Sequence, residues 1–244
     1  MEVIRSAQNA LVKRIVKLKQ KKYRDEYSQF FTEGYRNVAD TCAARPKSVV
    51  AVVFDERGYA EHGGEFADFP AHVVDSAVFA KMSDTESSQG VLSVNAIPPS
   101  APPTDGAIVL LDRVRDPGNV GTILRSCCAF GYGAALIGCA DVYSPKVVRS
   151  AMSAVLKCNI SVDVAAEEIK AAGYELICAD MDGESVVSAK KPSGRYCIVI
   201  GNEADGVSAD IKRLCDRTVC VPQRNIESLN AGVAASILMY ALNN

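Results

Sequence analysis

The chain has 244 residues, of which 48% are hydrophobic and 23% are charged, as in an ordinary soluble globular protein. No window approaches the roughly 18 consecutive apolar residues of a membrane-spanning helix, and the charged N-terminal segment lacks the apolar core of a secretion signal. The nine cysteines include no C-x-x-C pair. Their odd number and the missing secretion signal predict reduced thiols in a cytoplasmic protein that does not contact a membrane.

Charge is distributed unevenly along the chain. Residues 1–24 contain eight Lys or Arg and one Glu, a net charge of +7, which leaves −9 for the rest of a chain whose total is −2. A basic end on an acidic body favours contact with a polyanion. The same residues also fit a solvated helix face opposite an apolar stripe of Leu11, Ile15 and Leu18. Charge alone leaves both interpretations open.

The first part of the chain predicts a small mixed α/β domain over residues 1–96. We expect a basic helix over about residues 7–22, the strand QFFTE, a helix from about Gly34, and the strands SVVAVVF and AHVVD. A polar loop over residues 81–90 precedes a last strand. The following segment, AIPPSAPPTD, has four prolines and no apolar periodicity, which predicts a linker over residues 97–103.

Residues 104–244 alternate strands with helices. The predicted strands are AIVLLD, AALIG, ELICAD, YCIVIG and TVCVP. Helices are expected from about Gly118, from Ser144–Pro145, at AAEEIKAA, at SADIKRLC and at the C-terminus. This alternation predicts a parallel sheet with helices on both faces. Since ligands bind beyond the C-terminal ends of such strands, the loops 112–119, 201–206 and 222–230 are the candidate site.

The first loop leads into a helix that carries Asn119 and, six residues later, Arg125. That spacing is about 9 Å along a helix axis. Because helical side chains lean toward the N-terminus, Arg125 is expected to reach back toward Asn119. Free helix N–H groups and a guanidinium then converge, as a phosphate site requires. Taken alone, the loop fits a capping asparagine and a surface arginine equally well.

The other two loops are also polar. Glu203 follows a buried strand and Gly201, which would let a ligand touch the backbone; alone, a tight turn with Glu203 in solvent is the better interpretation. Glu227, Ser228 and Asn230 precede the most apolar helix of the chain. One of them suffices as a helix cap, so the three together indicate a site.

In this order, the three loops resemble the three motifs of the SpoU (TrmH) family of RNA ribose 2′-O-methyltransferases, in the SPOUT superfamily. The matching segments are DPGNVGTILRSCCAFG, IVIGNEADGVS and VPQRNIESLNAGVAASI. SAQNALVKRIVKLKQKKYR, FFTEG and SDTESSQGVL are similar to that family's substrate-binding domain. The resemblance implies a parallel-sheet α/β methyltransferase domain with a C-terminal trefoil knot. It also implies S-adenosylmethionine as cofactor, no metal, and a homodimer.

The resemblance carries over site residues by motif. The implied catalytic and RNA-handling residues are Arg125, Asn119, Glu203, Ser228 and Asn230. The implied cofactor-binding residues are Gly201, Ile200, Val221, Pro222, Leu229 and Ala179. The residues predicted to bind RNA are Lys13, Arg14, Lys17, Lys21, Lys22 and Arg149. Few aromatic residues accompany the basic helix, so we expect base stacking there to be minor.

The implied reaction is attack of a ribose 2′-hydroxyl on the sulfonium methyl group. A guanidinium is always protonated in proteins, so we expect Arg125 to hold a phosphate and stabilise the developing alkoxide rather than act as a base. Gln223 stands where the family usually has methionine, and Ala231–Gly232 replaces the commoner Val–Ser. These departures leave undetermined which groups form the wall of the cofactor pocket.

Structured RNA is the expected substrate, with ribosomal RNA favoured over transfer RNA. The alternatives are a transfer-RNA ribose methyltransferase, a base N-methyltransferase of the wider superfamily, and a catalytically silent RNA-binding or ribosome-assembly factor on the same fold. Intact Arg125, Glu203 and Asn230 argue against the silent factor.

Overall fold

A computed structural model describes residues 1–100, 106–226 and 228–243. Residues 101–105, which include part of the predicted linker, and Glu227 therefore lie outside the described residues. The chain divides into two compact units: unit 1 comprises Met1–Pro99 with Tyr143–Leu156, and unit 2 comprises Ser100–Val142 with Lys157–Asn244. The segment Tyr143–Leu156 thus packs with the N-terminal residues, although the predicted domain 104–244 includes it.

Helices and strands are numbered along the chain. The helices are α1 (Ala10–Lys17), α2 (Lys21–Tyr27), α3 (Tyr35–Ala44), α4 (Glu56–His62), α5 (Ser76–Met82), α6 (Pro117–Phe130), α7 (Pro145–Ala151), α8 (Ala154–Lys157), α9 (Ala166–Ala171), α10 (Ala209–Leu214) and α11 (Ala231–Leu242). The strands are β1 (Val3–Ile4), β2 (Gln29–Glu33), β3 (Val49–Asp55), β4 (Ala71–Val74), β5 (Val91–Ala96), β6 (Ile108–Asp112), β7 (Gly133–Ile137), β8 (Ile160–Val162), β9 (Glu175–Ser185), β10 (Tyr196–Ile200) and β11 (Arg217–Cys220). No helix within these described ranges combines the length and hydropathy needed to span a bilayer.

Unit 1 is built on a five-stranded mixed sheet of order β1-β4-β3-β5-β2. Strand β5 runs antiparallel to both of its neighbours, whereas β1, β4 and β3 are parallel. The apolar stripe of α1 is confirmed, because Ile15 and Leu18 are fully buried in the core and Leu11 packs against it. Helix α7 belongs to this unit and contacts β2.

The single basic helix predicted over residues 7–22 is wrong, since the chain forms α1 and α2 instead. Asn9 caps α1 by accepting from the Leu11 N–H at 2.9 Å. The chain then turns before α2, and the buried Arg24 donates to the carbonyl oxygen of Leu18 at 2.7 Å. A long cation that satisfies a freed helix carbonyl stabilises this break, and periodicity alone does not reveal it.

Unit 2 is built on a six-stranded sheet of order β11-β9-β10-β6-β7-β8, with every neighbouring pair parallel. The predicted parallel sheet is confirmed. Strand β9 extends beyond ELICAD to Ser185, because its second half pairs with β11 after a register shift between Thr218 and Val219. The short strand β8 was not predicted. The trefoil knot implied by the resemblance stays a prediction.

The C-terminal helix α11 is tied to the sheet of unit 2 by two buried tyrosines. The hydroxyl groups of Tyr132 and Tyr196 lie 2.5 Å apart. The Tyr132 hydroxyl lies 3.0 Å from the carbonyl oxygen of Met239, and the Tyr196 hydroxyl lies 3.2 Å from that of Leu242. The Met239 carbonyl oxygen also accepts from the Asn243 N–H at 3.0 Å. The carbonyl of Leu242 is one of the last of the helix and has no later turn to donate to it, so the Tyr196 hydroxyl is placed to satisfy it.

Candidate active site

The first candidate loop fixes the backbone of Asn119 at the start of α6. Asp116 is the N-cap residue, and its Oδ1 accepts from the Asn119 N–H at 2.8 Å. Pro117 follows at the first helical position, which suits its missing N–H. Asn119 is buried, with 6% of its surface exposed. A cap at Asn119 was the alternative left open by the sequence. Asp116 performs that role and leaves the Asn119 side chain free for another partner.

A chain of side-chain hydrogen bonds connects all three candidate loops. The Asn119 Nδ2 donates to Oε1 of Glu203 at 2.8 Å, and the Asn230 Nδ2 donates to Oδ1 of Asn119 at 2.7 Å. The Asn230 Oδ1 in turn accepts from the N–H groups of Gly232 and Val233 and so caps α11. Three of the predicted catalytic residues are therefore brought together, and both ends of the Asn119 amide are engaged.

Glu203 is held as an anion. Partial burial of its carboxyl group opposes ionisation, but the hydrogen bond from Asn119 and those from nearby backbone N–H groups outweigh it, so the pKa of Glu203 is lowered. The Arg115 and Asp116 N–H groups lie 3.5 and 3.4 Å from the carboxylate oxygens. Because an ionised carboxylate only accepts hydrogen bonds, Glu203 fixes which end of the Asn119 amide faces it.

Asn202 and Asp112, which were not among the predicted site residues, connect the same loops through hydrogen bonds. The Asn202 Nδ2 donates to the Arg113 carbonyl oxygen at 2.8 Å, and its Oδ1 accepts from the Ala204 N–H at 2.9 Å. Asp112 is almost fully buried, and its Oδ2 accepts from the Ser208 N–H at 2.6 Å. Asp112 is the last residue of β6 and Asn202 lies two residues after β10, so a polar residue at the end of an apolar strand is the signal that the sequence offers for them.

Gly201 is required by its own turn. A Cβ atom at this position would lie 2.1 Å from the carbonyl carbon of Gly206 and from the nitrogen of Val207. Asn202 and Gly206 bond to each other through their backbones across the same turn. Close approach within the chain therefore already explains a glycine here, and contact between Gly201 and a ligand stays a prediction.

Beside the network, unit 2 contains a cavity of about 620 Å³ at the ends of β9, β10 and β11. This volume lies within the usual range for small-molecule sites, roughly 300–1,000 Å³. Five of the six predicted cofactor residues line it, namely Ala179, Ile200, Gly201, Val221 and Leu229. Pro222 is not among the lining residues. Glu203, Ser228 and Asn230 line it as well. So does Gln223, whose effect on the cofactor pocket the sequence did not determine.

The network does not include Arg125. Its side chain is exposed on α6 and makes no hydrogen bond or ion pair within the part of the chain that the structure describes. Nor does it line the cavity. Among the described residues, Glu203 and Asn230 are the side chains that bond to the Asn119 amide, and Arg125 forms no hydrogen bond with it. The catalytic role of Arg125 stays a prediction, as does that of Ser228, which is exposed at the cavity.

The predicted RNA-binding residues all lie in unit 1, where the structure separates them into two groups. Lys13, Lys17 and Lys22 are exposed, and the guanidinium of Arg14 lies over the Tyr27 ring. Lys21 forms an ion pair with Asp25 at 3.0 Å, and Arg149 forms one with Asp84 at 2.9 Å. These two cations are already partly neutralised, so they are weaker candidates for phosphate contacts.

The two regions of the sequence match known families. Residues 106–240 match the SpoU rRNA Methylase family, and residues 9–93 match the MRM3-like substrate binding domain. The chain therefore belongs to the SpoU rRNA methylase family. The family, the α/β fold and the enzyme class predicted from the sequence are confirmed.

Individual relatives match along nearly the whole chain. The 23S rRNA (guanosine(2553)-2′-O)-methyltransferase RlmP of Bacillus subtilis (strain 168) is 29% identical over 250 residues, which span 99% of each chain. Among solved structures, an AdoMet-bound rRNA methyltransferase from Sinorhizobium meliloti is 27% identical with a TM-score of 0.86, covering 99% of this chain and 97% of that one. The SpoU methyltransferase AviRb from Streptomyces viridochromogenes, in complex with AdoMet, is 26% identical with a TM-score of 0.84 and coverages of 96% and 97%.

Proposed function

We propose that this chain transfers a methyl group from S-adenosylmethionine to a ribose 2′-hydroxyl in ribosomal RNA. The observation that carries the proposal is the Asn119–Glu203–Asn230 network beside the cavity, in a chain of the SpoU family. Ribosomal RNA is favoured over transfer RNA because the relative that spans 99% of each chain is named for 23S rRNA. A cytoplasmic location is part of the proposal.

The cavity fits the cofactor in its donor and acceptor chemistry. The Gln223 Oε1 is buried and has no hydrogen-bond partner among the described residues, although its Nε2 lies 3.2 Å from the Met181 sulfur. An unsatisfied buried acceptor favours a ligand that brings N–H groups, and S-adenosylmethionine has both an adenine amino group and an α-amino group. The carboxylates of Glu203 and Asp205 also line the cavity and suit a cationic ligand. The bound cofactor would supply the electrophilic methyl group.

In the proposed reaction, the chain's own residues position groups and stabilise charge. The 2′-oxygen bonds to the methyl carbon, the carbon–sulfur bond breaks with its electron pair on sulfur, and the hydroxyl proton passes to solvent. The Arg125 guanidinium faces the negative charge that develops on the 2′-oxygen and the adjacent phosphate. Glu203 and Asn119 hold the loop that precedes it, while Ser228 and Asn230 place the nucleotide at the cavity.

A homodimer through unit 2 is part of the proposal. Val233, Ile237 and Tyr240 follow one face of α11 and are 45%, 37% and 74% exposed. The Tyr240 ring lies 6.0 Å from that of Phe130, which extends the apolar face onto α6. An apolar helix face of this kind favours association with a second copy. Light scattering at micromolar concentration should give twice the mass of one chain, and a purely monomeric mass would contradict the dimer.

The function is tested with the full chain, radiolabelled S-adenosylmethionine, and ribosomal and transfer RNA from cells that lack this gene. We expect label to enter ribosomal RNA and to remain in a dinucleotide that resists alkaline hydrolysis, because a 2′-O-methyl group blocks cleavage at that linkage. Label in a base would indicate a base methyltransferase, and label in transfer RNA alone would favour that substrate. Cofactor binding without transfer to either RNA would support the catalytically silent factor.

A further inference from the structure

The basic residues of α1 and α2 differ in what occupies their charges. The Lys19 Nζ donates to the Ser83 carbonyl oxygen at 2.5 Å and to that of Lys81 at 3.2 Å, so it ties α1 to the end of α5. Lys21 is paired with Asp25. Lys13, Lys17 and Lys22, by contrast, are exposed and have no carboxylate partner among the described residues. These three ammonium groups, here called the free lysines, remain available to a polyanion.

Two of the free lysines lie over an aromatic ring. The Lys17 Nζ is 4.9 Å and the Lys22 Nζ is 5.7 Å from the centroid of the Tyr23 ring. Tyr23 is stacked on Tyr27, one turn further along α2, with centroids 6.1 Å apart and an interplanar angle of 21°. The few aromatic residues beside the basic helix predicted little base stacking here. The structure instead places two tyrosines among the cations.

The two tyrosines have different surroundings. Tyr27 packs against the hydrophobic core of unit 1, and the Arg14 guanidinium lies 5.2 Å from its ring centroid. Tyr23 is partly exposed and touches no core cluster among the described residues. Tyr27 thus anchors the pair, whereas Tyr23 presents an aromatic face at the surface.

A groove lies along α1. Its volume is about 410 Å³, and its lining includes the free lysines Lys13 and Lys17 together with Gln8, Val12 and Lys81. Lys17 belongs both to the groove and to the Tyr23 surroundings. We give the groove and the tyrosine pair, which share Lys17, one name, the Tyr23 platform.

Surface cation–π contacts by themselves contribute only about 0.5–1 kcal/mol and need no ligand. The platform differs from such a contact in three respects: its lysines lack carboxylates, its rings are paired, and it lies in the segment of net charge +7. Cations that neutralise phosphates beside rings that accept bases are the combination by which proteins bind single-stranded nucleic acid. A base inside a duplex is already stacked on its neighbours and cannot use the ring.

We propose that the Tyr23 platform binds unpaired nucleotides of the RNA substrate, with a base stacked on Tyr23 and phosphates held by Lys13, Lys17 and Lys22. The incoming base displaces an ammonium group from the ring, and that group then contacts the phosphate of the same nucleotide. The inference rests on the proposed function and deepens it. It names the substrate class as RNA with unpaired nucleotides next to its structured part, rather than continuous duplex.

The test compares the affinity of the full chain for two fluorescent RNAs of equal phosphate number, one single-stranded and one fully paired. Tyr23→Ala should weaken binding to the single strand roughly 5- to 150-fold, the range that corresponds to loss of one base–aromatic stack. Binding to the duplex should change by less than about twofold. Tyr23→Phe keeps the ring and should bind like the parent. Lys17→Ala should weaken binding to both RNAs and flatten the salt dependence of both affinities.

Tyr59→Ala is the matched control. Tyr59 is a tyrosine of the same unit with 36% exposure and an aromatic neighbour in Phe54, and no cation of the described residues lies over its ring. Its RNA affinity should equal that of the parent. If Tyr23→Ala fails to fold by circular dichroism, Tyr23→Leu takes its place. Quenching of a 2-aminopurine placed in the single strand reports stacking in the unaltered chain, and its absence overturns the proposal.

Equal losses on both RNAs, or a Tyr23→Phe variant as weak as Tyr23→Ala, would also overturn it. Methyl transfer by the unaltered chain is measured in parallel on ribosomal RNA. Absence of transfer sinks the proposed function but leaves the comparison of the two RNAs readable. Normal transfer together with unchanged single-strand affinity in Tyr23→Ala sinks only the Tyr23 platform.

Discussion

The polar groups of unit 2 and the cations of unit 1 are held in opposite ways. In unit 2, Asn119, Glu203 and Asn230 bond to one another and to backbone N–H groups, so each side chain has a fixed orientation. In unit 1, the free lysines lie over tyrosine rings or in solvent. Chemistry at a single bond requires atoms fixed within a fraction of an ångström, whereas attraction of a phosphate backbone requires only charge nearby.

The contrast separates two kinds of variant. Changes in unit 2 should lower turnover with little effect on the salt dependence of RNA binding. Changes in unit 1 should alter RNA affinity and its salt dependence but leave cofactor binding intact. Each of the following measurements tests one side of this separation.

The largest effect is expected at Arg125. Because its side chain is exposed and unpaired within the described residues, Arg125→Ala should fold, dimerise and bind S-adenosylmethionine like the parent. Methyl transfer should fall by about 10² to 10³, the usual cost of losing one group at a developing oxyanion. Arg125→Lys keeps the charge without the planar fork and should recover little. A lysine variant with near-parental turnover at neutral pH would contradict a role that depends on this geometry.

Asn119→Ala removes the centre of the network and leaves Glu203 and Asn230 without their shared partner. Turnover should fall by up to about 10²-fold, as expected when a supporting group shifts the reacting geometry by about an ångström. The Asp116 cap of α6 remains, so the melting temperature of the variant should change little although its turnover falls. Ser126→Ala, on the same helix, is the control, since the Ser126 hydroxyl bonds only to Thr122 and Ser236 among the described residues. Equal turnover in the two variants would disprove the positioning role.

In unit 1, the double variant Lys13→Ala/Lys17→Ala should lower RNA affinity and reduce the slope of log K against log salt by about 0.7–0.9 for each lost phosphate contact. Lys21→Ala is the matched control, because its ammonium is already paired with Asp25. Its slope should change little. Calorimetry should show the same cofactor affinity in all three proteins. An unaltered slope in the double variant would mean that the charged face is merely solvated.

A smaller effect is expected at Gln223. Gln223→Met restores the residue that is usual in the family and removes the unsatisfied Oε1 from the cavity wall. If the cofactor donates to this oxygen, its affinity should fall about 2- to 10-fold, which corresponds to one ordinary hydrogen bond. Isothermal calorimetry measures this directly. Tighter binding by the methionine variant would show that Gln223 faces the cofactor with no useful contact.

The smallest effect concerns stability and pH. The pKa of Glu203 is lowered in the folded chain, so its contribution to stability is fully present above the unfolded pKa and is lost as pH falls through the folded pKa. Glu203→Gln cannot make this contribution. Melting temperatures of parent and variant should therefore differ most near neutral pH and converge on acidification. A difference in melting temperature that widens at low pH would mean that the pKa of Glu203 is raised, not lowered, in the folded chain.

The alternation of strands and helices was sufficient to predict the parallel sheet of unit 2. It was not sufficient to predict that Tyr143–Leu156 packs in unit 1, because the partner of an apolar helix face is set by tertiary contacts. The break between α1 and α2 depends on a hydrogen bond from Arg24, which no periodicity encodes. The local pattern of apolar residues thus predicted helices and strands better than it predicted which of them pack together.

The site shows the same limit more sharply. Glu203 and Asn230 lie 84 and 111 positions from Asn119, and no spacing rule brings such residues together. The strand-end rule predicted the three loops, and the resemblance supplied the individual residues. Neither indicated that Asp116 caps α6, that Gly201 accommodates its own turn, or that Tyr23 lies among the lysines.

The tyrosine contacts at the end of α11 change how the C-terminus should behave in amide hydrogen exchange. Helix ends normally fray and exchange fast, because their last carbonyls have only water as a partner. Here the carbonyl oxygens of Met239 and Leu242 lie against buried hydroxyl groups that belong to the sheet. We therefore expect the last turn to open less readily than a helix end in water, and its amides to exchange more slowly than those of such an end.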